Sequence, residues 1–142
     1  MLFIDIIKDI ITNKNLSEED KLEECRLLIE SGANVNEKDN NSMTALMWVS
    51  NYGYKNIVKL LIESGANVNE KGRYDGSTAL MWASGTGHEN IVKLLIESGA
   101  NVNDKDNYSS TALMLALSNG HEKIIELLID AGANLVKNMI DY

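Results

Sequence analysis

Apolar residues recur along most of the chain with the spacing of a buried helix face. Ile57 is followed three and four residues later by Leu60 and Leu61, and the same pattern returns in two further segments. Residues at this spacing lie on one side of a helix, so each segment predicts a helix with an apolar stripe that must be buried. A glycine follows each segment, Gly65 in the first case, and predicts the end of that helix.

The pattern belongs to a repeat of 33 or 34 residues. The sequence Leu-Leu-Ile-Glu-Ser-Gly-Ala-Asn, slightly changed in its last copy, begins at Leu27, Leu60, Leu94 and Leu127. A second block, Thr-Ala-Leu-Met, begins at Thr44, Thr78 and Thr111. Because both blocks keep the same spacing, the period covers a whole unit, and a period of this length predicts an array of stacked units.

Each full unit predicts a pair of helices. The threonine of the second block precedes a run of good helix formers, where its hydroxyl can accept a hydrogen bond from a free backbone amide. This first helix runs about two turns to a glycine that allows a sharp turn, such as Gly53, and the second helix contains the apolar stripe. Polar stretches at 36–43, 69–77 and 103–110 predict loops or hairpin tips. The tip before Thr78 is one residue longer than the others and should protrude.

These features resemble the ankyrin repeat, whose pattern has a Thr-Pro-Leu-His block, a Gly-His turn, a Val-Val-Lys-Leu-Leu-Leu helix and a Gly-Ala-Asp-Val-Asn end. In the third unit the corresponding segments are Thr78-Ala-Leu-Met81, Gly87-His88, Ile91-Val-Lys-Leu-Leu-Ile96 and Gly99-Ala-Asn-Val-Asn103. Alanine replaces the family's proline, and methionine replaces its histidine. The resemblance implies an all-α ankyrin-repeat solenoid of helix pairs with projecting hairpin-like loops.

We expect a single domain of four units with boundaries near 1–37, 38–70, 71–104 and 105–142. The first unit lacks the Thr-Ala-Leu-Met block and is predicted to be an N-terminal capping repeat, with a capping box at Ser17 to Asp20 before a longer second helix. Its first helix should bury one side and leave the other solvated. The predicted buried side contains Ile6, Ile7, Ile10 and Ile11, and the solvated side contains Asp5, Lys8, Asp9 and Thr12.

The C-terminal tail stays apolar after the last Gly-Ala-Asn, at Leu135, Val136, Met139 and Ile140. We predict that this tail packs on the last unit as an imperfect cap and leaves the protein a monomer. The alternative is an array that continues beyond the last unit, in which case this end of the chain should self-associate.

The charge balance narrows the class of partner. The 142 residues include 13 basic and 21 acidic side chains, a net charge of −8, which repels a nucleic-acid backbone. No apolar run reaches the roughly 18 residues of a membrane-spanning helix. We therefore expect neither nucleic acid nor a membrane as partner.

Cys25, the single cysteine, is predicted to be buried in an apolar-periodic run. This suits a reducing cytoplasm, and export as an effector is the alternative.

No set of residues has the pattern of a catalytic, cofactor or metal site. His88 and His121 share one repeat position, where the second unit has Tyr54, so stabilisation of the turn is favoured over metal binding or catalysis. The acidic residues of the tips lack the spacing of a calcium loop and are predicted to be solvated turn residues, among them Asp39, Asp75, Asp104 and Asp106. We expect a protein-interaction module without cofactors. A spacer or fragment of a longer ankyrin array, and then an enzyme or metal-binding protein, are the alternatives.

Residues that differ between otherwise similar units occur in the tips and at the ends of the first helices. The resemblance implies that these regions line a concave face that contacts partners. The partner is predicted to be a neutral or basic protein, bound through a few aromatic anchors. The predicted binding residues are Arg73, Tyr74 and Tyr108, then Met43 and Tyr52, with Trp48 and Trp82 behind them. Because the two tryptophans share one repeat position with Leu115, packing between units is favoured over partner contact for both.

Overall fold

Consecutive helix pairs make up the regular structure of the chain. The computed structural model describes residues 2–135, which contain eight α-helices and no β-strand. The helices are α1 (Phe3–Thr12), α2 (Glu18–Glu30), α3 (Ala45–Tyr52), α4 (Lys55–Glu63), α5 (Ala79–Thr86), α6 (Glu89–Glu97), α7 (Ala112–Ser118) and α8 (Glu122–Asp130). Each odd-numbered helix packs against the even-numbered helix that follows it. The predicted all-α solenoid of helix pairs is confirmed for these residues.

Side-chain caps start the helices where the sequence predicts them. The hydroxyls of Thr44, Thr78 and Thr111 each accept a hydrogen bond of 3.3–3.4 Å from the amide three residues later. Ser17 accepts from the amide of Asp20 at 3.1 Å, so α2 begins at the predicted capping box. Helix α2 has 13 residues against nine in α4, which confirms the longer second helix of the first unit.

The helices form two layers along the array. Successive first helices (α1, α3, α5 and α7) contact one another, and so do successive second helices (α2, α4, α6 and α8). Small buried residues in the first helices, such as Ala79, Ala83 and Ala116, let these helices approach closely, and their mutual contacts are more extensive than those between second helices. The stack is therefore tighter on the first-helix side.

The predicted apolar stripes form the core, but one residue of the stripe differs from the prediction in α4 and in α6. In α4, Ile57 and Leu61 are buried as predicted, but Leu60 is half-buried and Val58 is buried in its stead. Helix α6 repeats this arrangement. Cys25 is fully buried, and burial raises the pKa of its thiol to about 12, so the thiol stays protonated at neutral pH.

Asparagine side chains join the ends of successive second helices. Asn36 donates from Nδ2 to the Gly65 carbonyl at 3.0 Å and accepts at Oδ1 from the Asn67 amide at 2.7 Å. Asn69 and Asn103 make the equivalent pairs of bonds one and two units later. No role was predicted for these side chains, although the sequence shows the asparagine at the same position of successive units.

The tips are hairpin-like turns closed by backbone hydrogen bonds. The amide of Asp39 donates to the carbonyl of Met43 at 3.0 Å, and the amide of Asp106 donates to that of Ser110 at 2.9 Å. In the longer tip the corresponding bond runs from Gly72 to the carbonyl of Ser77, at 3.0 Å, and encloses one more residue. These turns lie directly before the first helices α3, α5 and α7.

Helix α1 follows its prediction only in part. Ile7, Ile10 and Ile11 are buried as predicted, but Ile6 is half-buried, and Phe3 and Ile4 are buried as well. Lys8 was predicted to be solvated, which is wrong: its ammonium pairs with Asp39 in the tip of the second unit. The local helical pattern could not show this contact because the two residues are 31 positions apart.

The predicted C-terminal cap lies outside the described residues from residue 136 onward. Its first residue, Leu135, is described and is 54% exposed. Ahead of it, α8 packs against α6 and α7, and Ile124 and Leu128 are buried.

Candidate protein-interaction surface

The three residues predicted as principal anchors lie in the tips. Tyr74 is 70% exposed and Tyr108 is 80% exposed. The guanidinium of Arg73 lies over the ring of Tyr74, with its carbon 5.9 Å from the ring centroid, so these two side chains form one exposed unit. Neither tyrosine ring is part of the core, because most of the surface of each residue faces solvent.

Hydrogen bonds between neighbouring tips fix their positions relative to one another. The amide of Arg73 donates to the carbonyl of Asn41 at 3.0 Å. Asn107 donates from its backbone amide to the carbonyl of Asp75 at 2.7 Å and from its side-chain Nδ2 to the carbonyl of Tyr74 at 2.6 Å. The exposed rings are therefore displayed on a row of connected turns.

Trp48 is the centre of a cluster at the junction of the first two units. The ammonium of Lys8 lies 4.5 Å from the centroid of the indole ring, and Tyr52 stacks against it with centroids 6.4 Å apart. The same ammonium is 2.8 Å from the Oδ2 atom of Asp39. Tyr52 remains 44% exposed at the end of α3, so this predicted residue extends the cluster toward solvent.

The carboxylate of Asp39 is held in its charged form. Burial acts to raise its pKa, but the hydrogen bonds from Lys8 and from the amides of Met43 and Asn41 outweigh that effect and lower the pKa below its usual value. The side chain of Asp39 is only 10% exposed, so these contacts are partly shielded from solvent. Asp39 is thus a structural residue rather than the solvated turn residue expected of an acidic tip.

A cleft of about 230 Å³ lies between the tips of the second and third units. It brings together four predicted binding residues, and its lining consists of Met43, Trp48, Tyr74 and Trp82, with Asn41 and Asp75. Both indole nitrogens are covered by protein atoms and have no hydrogen-bond partner among the described residues. The tryptophans therefore contribute to packing with one edge and to the cleft with another.

A second cleft, of about 250 Å³, lies one unit further along the array. Its lining includes Trp82 from α5, Leu115 from α7 and Asp106 from the tip of the fourth unit. Gly85 and Thr86, at the end of α5, complete this part of the wall. Asp106 was predicted to be a solvated turn residue, and its repeat position matches that of Asp39.

Comparison with known proteins agrees with the repeat pattern. A family model described as ankyrin repeats (three copies) matches residues 15–72 and 68–139. The chain belongs to the ankyrin-repeat family. No curated protein matches the chain. Members of this family generally mediate protein–protein interaction.

Within the ankyrin units, the histidines and their tyrosine counterpart bind the backbone of the preceding unit. His88 Nε2 lies 3.0 Å from the carbonyl oxygen of Asn51, and His121 Nε2 lies 3.1 Å from that of Gly85. Tyr54 donates from its hydroxyl to the Ile11 carbonyl at 3.2 Å. A structural role in joining units accounts for all three side chains.

Among residues 2–135, no three His, Cys, Asp or Glu side chains group together in a way that could bind a metal ion. None of the helices described has the length and apolar character needed to cross a membrane.

Proposed function

We propose that this ankyrin-repeat protein binds a protein partner through its concave side and tips. The observation on which the proposal depends is the pair of exposed aromatic rings, Tyr74 and Tyr108, on tips joined by Asn107. Aromatic side chains are frequent hot spots of interfaces, and a preformed surface loses less entropy on binding. The neighbouring cleft with Met43 and the tryptophans offers apolar surface behind these rings.

The proposed partner is a neutral or basic protein. The net charge of −8 favours the approach of positive charge and opposes that of another acidic surface. We also propose a reducing compartment such as the cytoplasm. The single cysteine supports this location, because it has no second thiol with which to form an internal disulfide.

Affinity capture from the native cell extract, followed by measurement of binding with purified partner, tests the proposal. Tyr74→Ala and Tyr108→Ala should each weaken binding by about 2 kcal/mol or more, because they remove exposed anchors. The melting temperature and helical circular dichroism should stay unchanged, since neither ring is part of the core.

Lys59→Ala and Lys93→Ala, on the exposed side of the second helices, are the matched controls and should bind like the parent protein. If these lysine changes abolish binding while both tyrosine changes have no effect, the partner uses the convex side and the proposal is wrong. A chain that captures no partner would favour a spacer within a longer array.

A further inference from the structure

Asp39 and Asp106 occupy the same repeat position and make equivalent hydrogen bonds, each within its own tip. Asp39 accepts at Oδ1 from the amides two and four residues later, at 2.8 and 3.0 Å. Asp106 accepts at Oδ1 from the amides of Tyr108 and Ser110, both at 2.9 Å. In both tips these bonds occupy Oδ1, and in Asp39 the second oxygen, Oδ2, binds the ammonium of Lys8 at 2.8 Å.

The unit before Asp106 has an indole ring where the unit before Asp39 has a lysine. Lys8 is the fourth residue before Thr12, the end of α1, and Trp82 is the fourth residue before Thr86, the end of α5. Among the described residues, no basic side chain forms a salt bridge with Asp106. Within residues 2–135, the carboxylate of Asp106 therefore lacks the cation that its counterpart has.

The cleft beside Asp106 has room because the end of α5 is made of small residues. In the preceding unit the last residue of the first helix is Tyr52, whose ring stacks on Trp48. In α5 the last two residues are Gly85 and Thr86, and a Cβ atom added at Gly85 would meet only Leu115, at 3.9 Å. No ring from this helix end covers Trp82, so its face remains part of the cleft of about 250 Å³.

We propose that this cleft binds a lysine side chain of the protein partner, between the indole of Trp82 and the carboxylate of Asp106. Lys8 shows a related recognition inside the molecule, with its ammonium 2.8 Å from Asp39 and 4.5 Å from the Trp48 centroid. There the ring belongs to the same unit as the carboxylate, whereas Trp82 belongs to the unit before Asp106. A carboxylate and an aromatic face both attract an ammonium group, and apolar walls such as Leu115 suit the aliphatic stem of lysine.

This inference rests on the proposed function, but the cleft can be tested without the partner. The probe is Nα-acetyl-L-lysine N-methylamide, titrated into the ¹⁵N-labelled full chain while the indole N–H signals of the two tryptophans are followed by NMR. Trp82→Leu assigns the signals and uses the residue type found at the same position in the next unit. The Trp82 signal should shift and saturate, while the Trp48 signal, whose ring Lys8 already covers, should not.

Three controls make the titration decisive. The norleucine analogue, which keeps the aliphatic chain but lacks the ammonium, should give no saturable shift. Asp106→Asn should abolish the response to the lysine probe, whereas Asp104→Asn, with the same change in net charge in the same loop, should preserve it. No shift of the Trp82 signal, an equal shift with the norleucine analogue, or an unchanged response in Asp106→Asn would each overturn the inference.

With the captured partner, Asp106→Asn should weaken binding about tenfold or more relative to Asp104→Asn, as expected for loss of a hydrogen bond to a charged group. If Tyr74→Ala and Tyr108→Ala weaken binding but Asp106→Asn does not, the lysine site is wrong and the proposed function stands. If only changes on the second helices abolish binding, the proposed function is wrong, and the probe titration still decides what the cleft binds.

Discussion

At the residue scale, one side chain in each of the second, third and fourth units binds the backbone of the unit before it. The ring of His88 lies against Gly53, which has a φ of 87° and ends the preceding first helix. Its Nε2 atom is 3.0 Å from the Asn51 carbonyl, so the ring cannot move away without losing this bond. A glycine at this place therefore serves both the backbone turn and the contact between units.

Gly53→Ala tests this double role. A Cβ atom at Gly53 would lie 2.5 Å from His88 Cε1, whereas one at Gly65, which has a similar φ of 95°, would meet nothing within 4 Å. Both changes place alanine in a left-handed conformation, but only the first adds a clash, so Gly53→Ala should lower the free energy of unfolding by about 1 kcal/mol more than Gly65→Ala. Urea unfolding of both variants measures the difference. Equal losses would show that the His88 contact adds no constraint.

At the element scale, local sequence signals were sufficient to predict the helices, whereas contacts between units were not. The positions of α3, α5 and α7 follow from the threonine caps and the apolar spacing, which act within a few residues. Lys8 looked solvated because its own helix gives no sign of Asp39 or of the Trp48 ring. Asp106 was likewise treated as a solvated turn residue, since its relation to Trp82 depends on how two units stack.

The ion pair of Lys8 and Asp39 links α1 to the tip of the second unit and predicts a pH dependence. The pKa of Asp39 is lowered in the folded protein, so its stabilising effect is complete above the ordinary pKa of an aspartate, about 3.9, and is lost as the pH falls through the folded value. Asp39→Asn keeps an oxygen for the turn but removes the charge, and should cost about 1.5 kcal/mol of unfolding free energy near pH 7.

Urea unfolding of the parent protein and Asp39→Asn at about pH 7 and about pH 3 tests this expectation. The difference between the two proteins should shrink at the lower pH, which lies below the ordinary pKa of an aspartate, because part of the stabilisation by the charge is then lost. Asp106→Asn, in the same kind of turn but with no lysine partner in the described part of the chain, should cost less at pH 7. A loss in Asp39→Asn that is equally large at both pH values would contradict the role of the charge.

At the scale of the whole molecule, every described contact between units joins neighbours in a one-dimensional array. The helices of each layer touch the next helix of that layer, and the asparagine and histidine bonds likewise join adjacent units. Stability in such an array is close to a sum of unit and interface contributions. The partner-binding surface we propose has the same linear character, since its clefts succeed one another by one unit along the concave side.

Removal of residues 107–142 deletes α7 and α8 together with the interface that they make with the third unit. The first helix of that unit, α5, would lose the packing of Leu113 and Ala116, which are fully buried in the intact array. The shortened chain should remain helical but melt at least about 4 °C lower, the shift that 1 kcal/mol causes in a domain of this size.

A chain that ends at Asn134 keeps helices α1 to α8 and separates loss of the tail from loss of the unit. Thermal unfolding followed by circular dichroism compares the three proteins, and an unchanged melting temperature after removal of 107–142 would contradict the nearest-neighbour account of the fold.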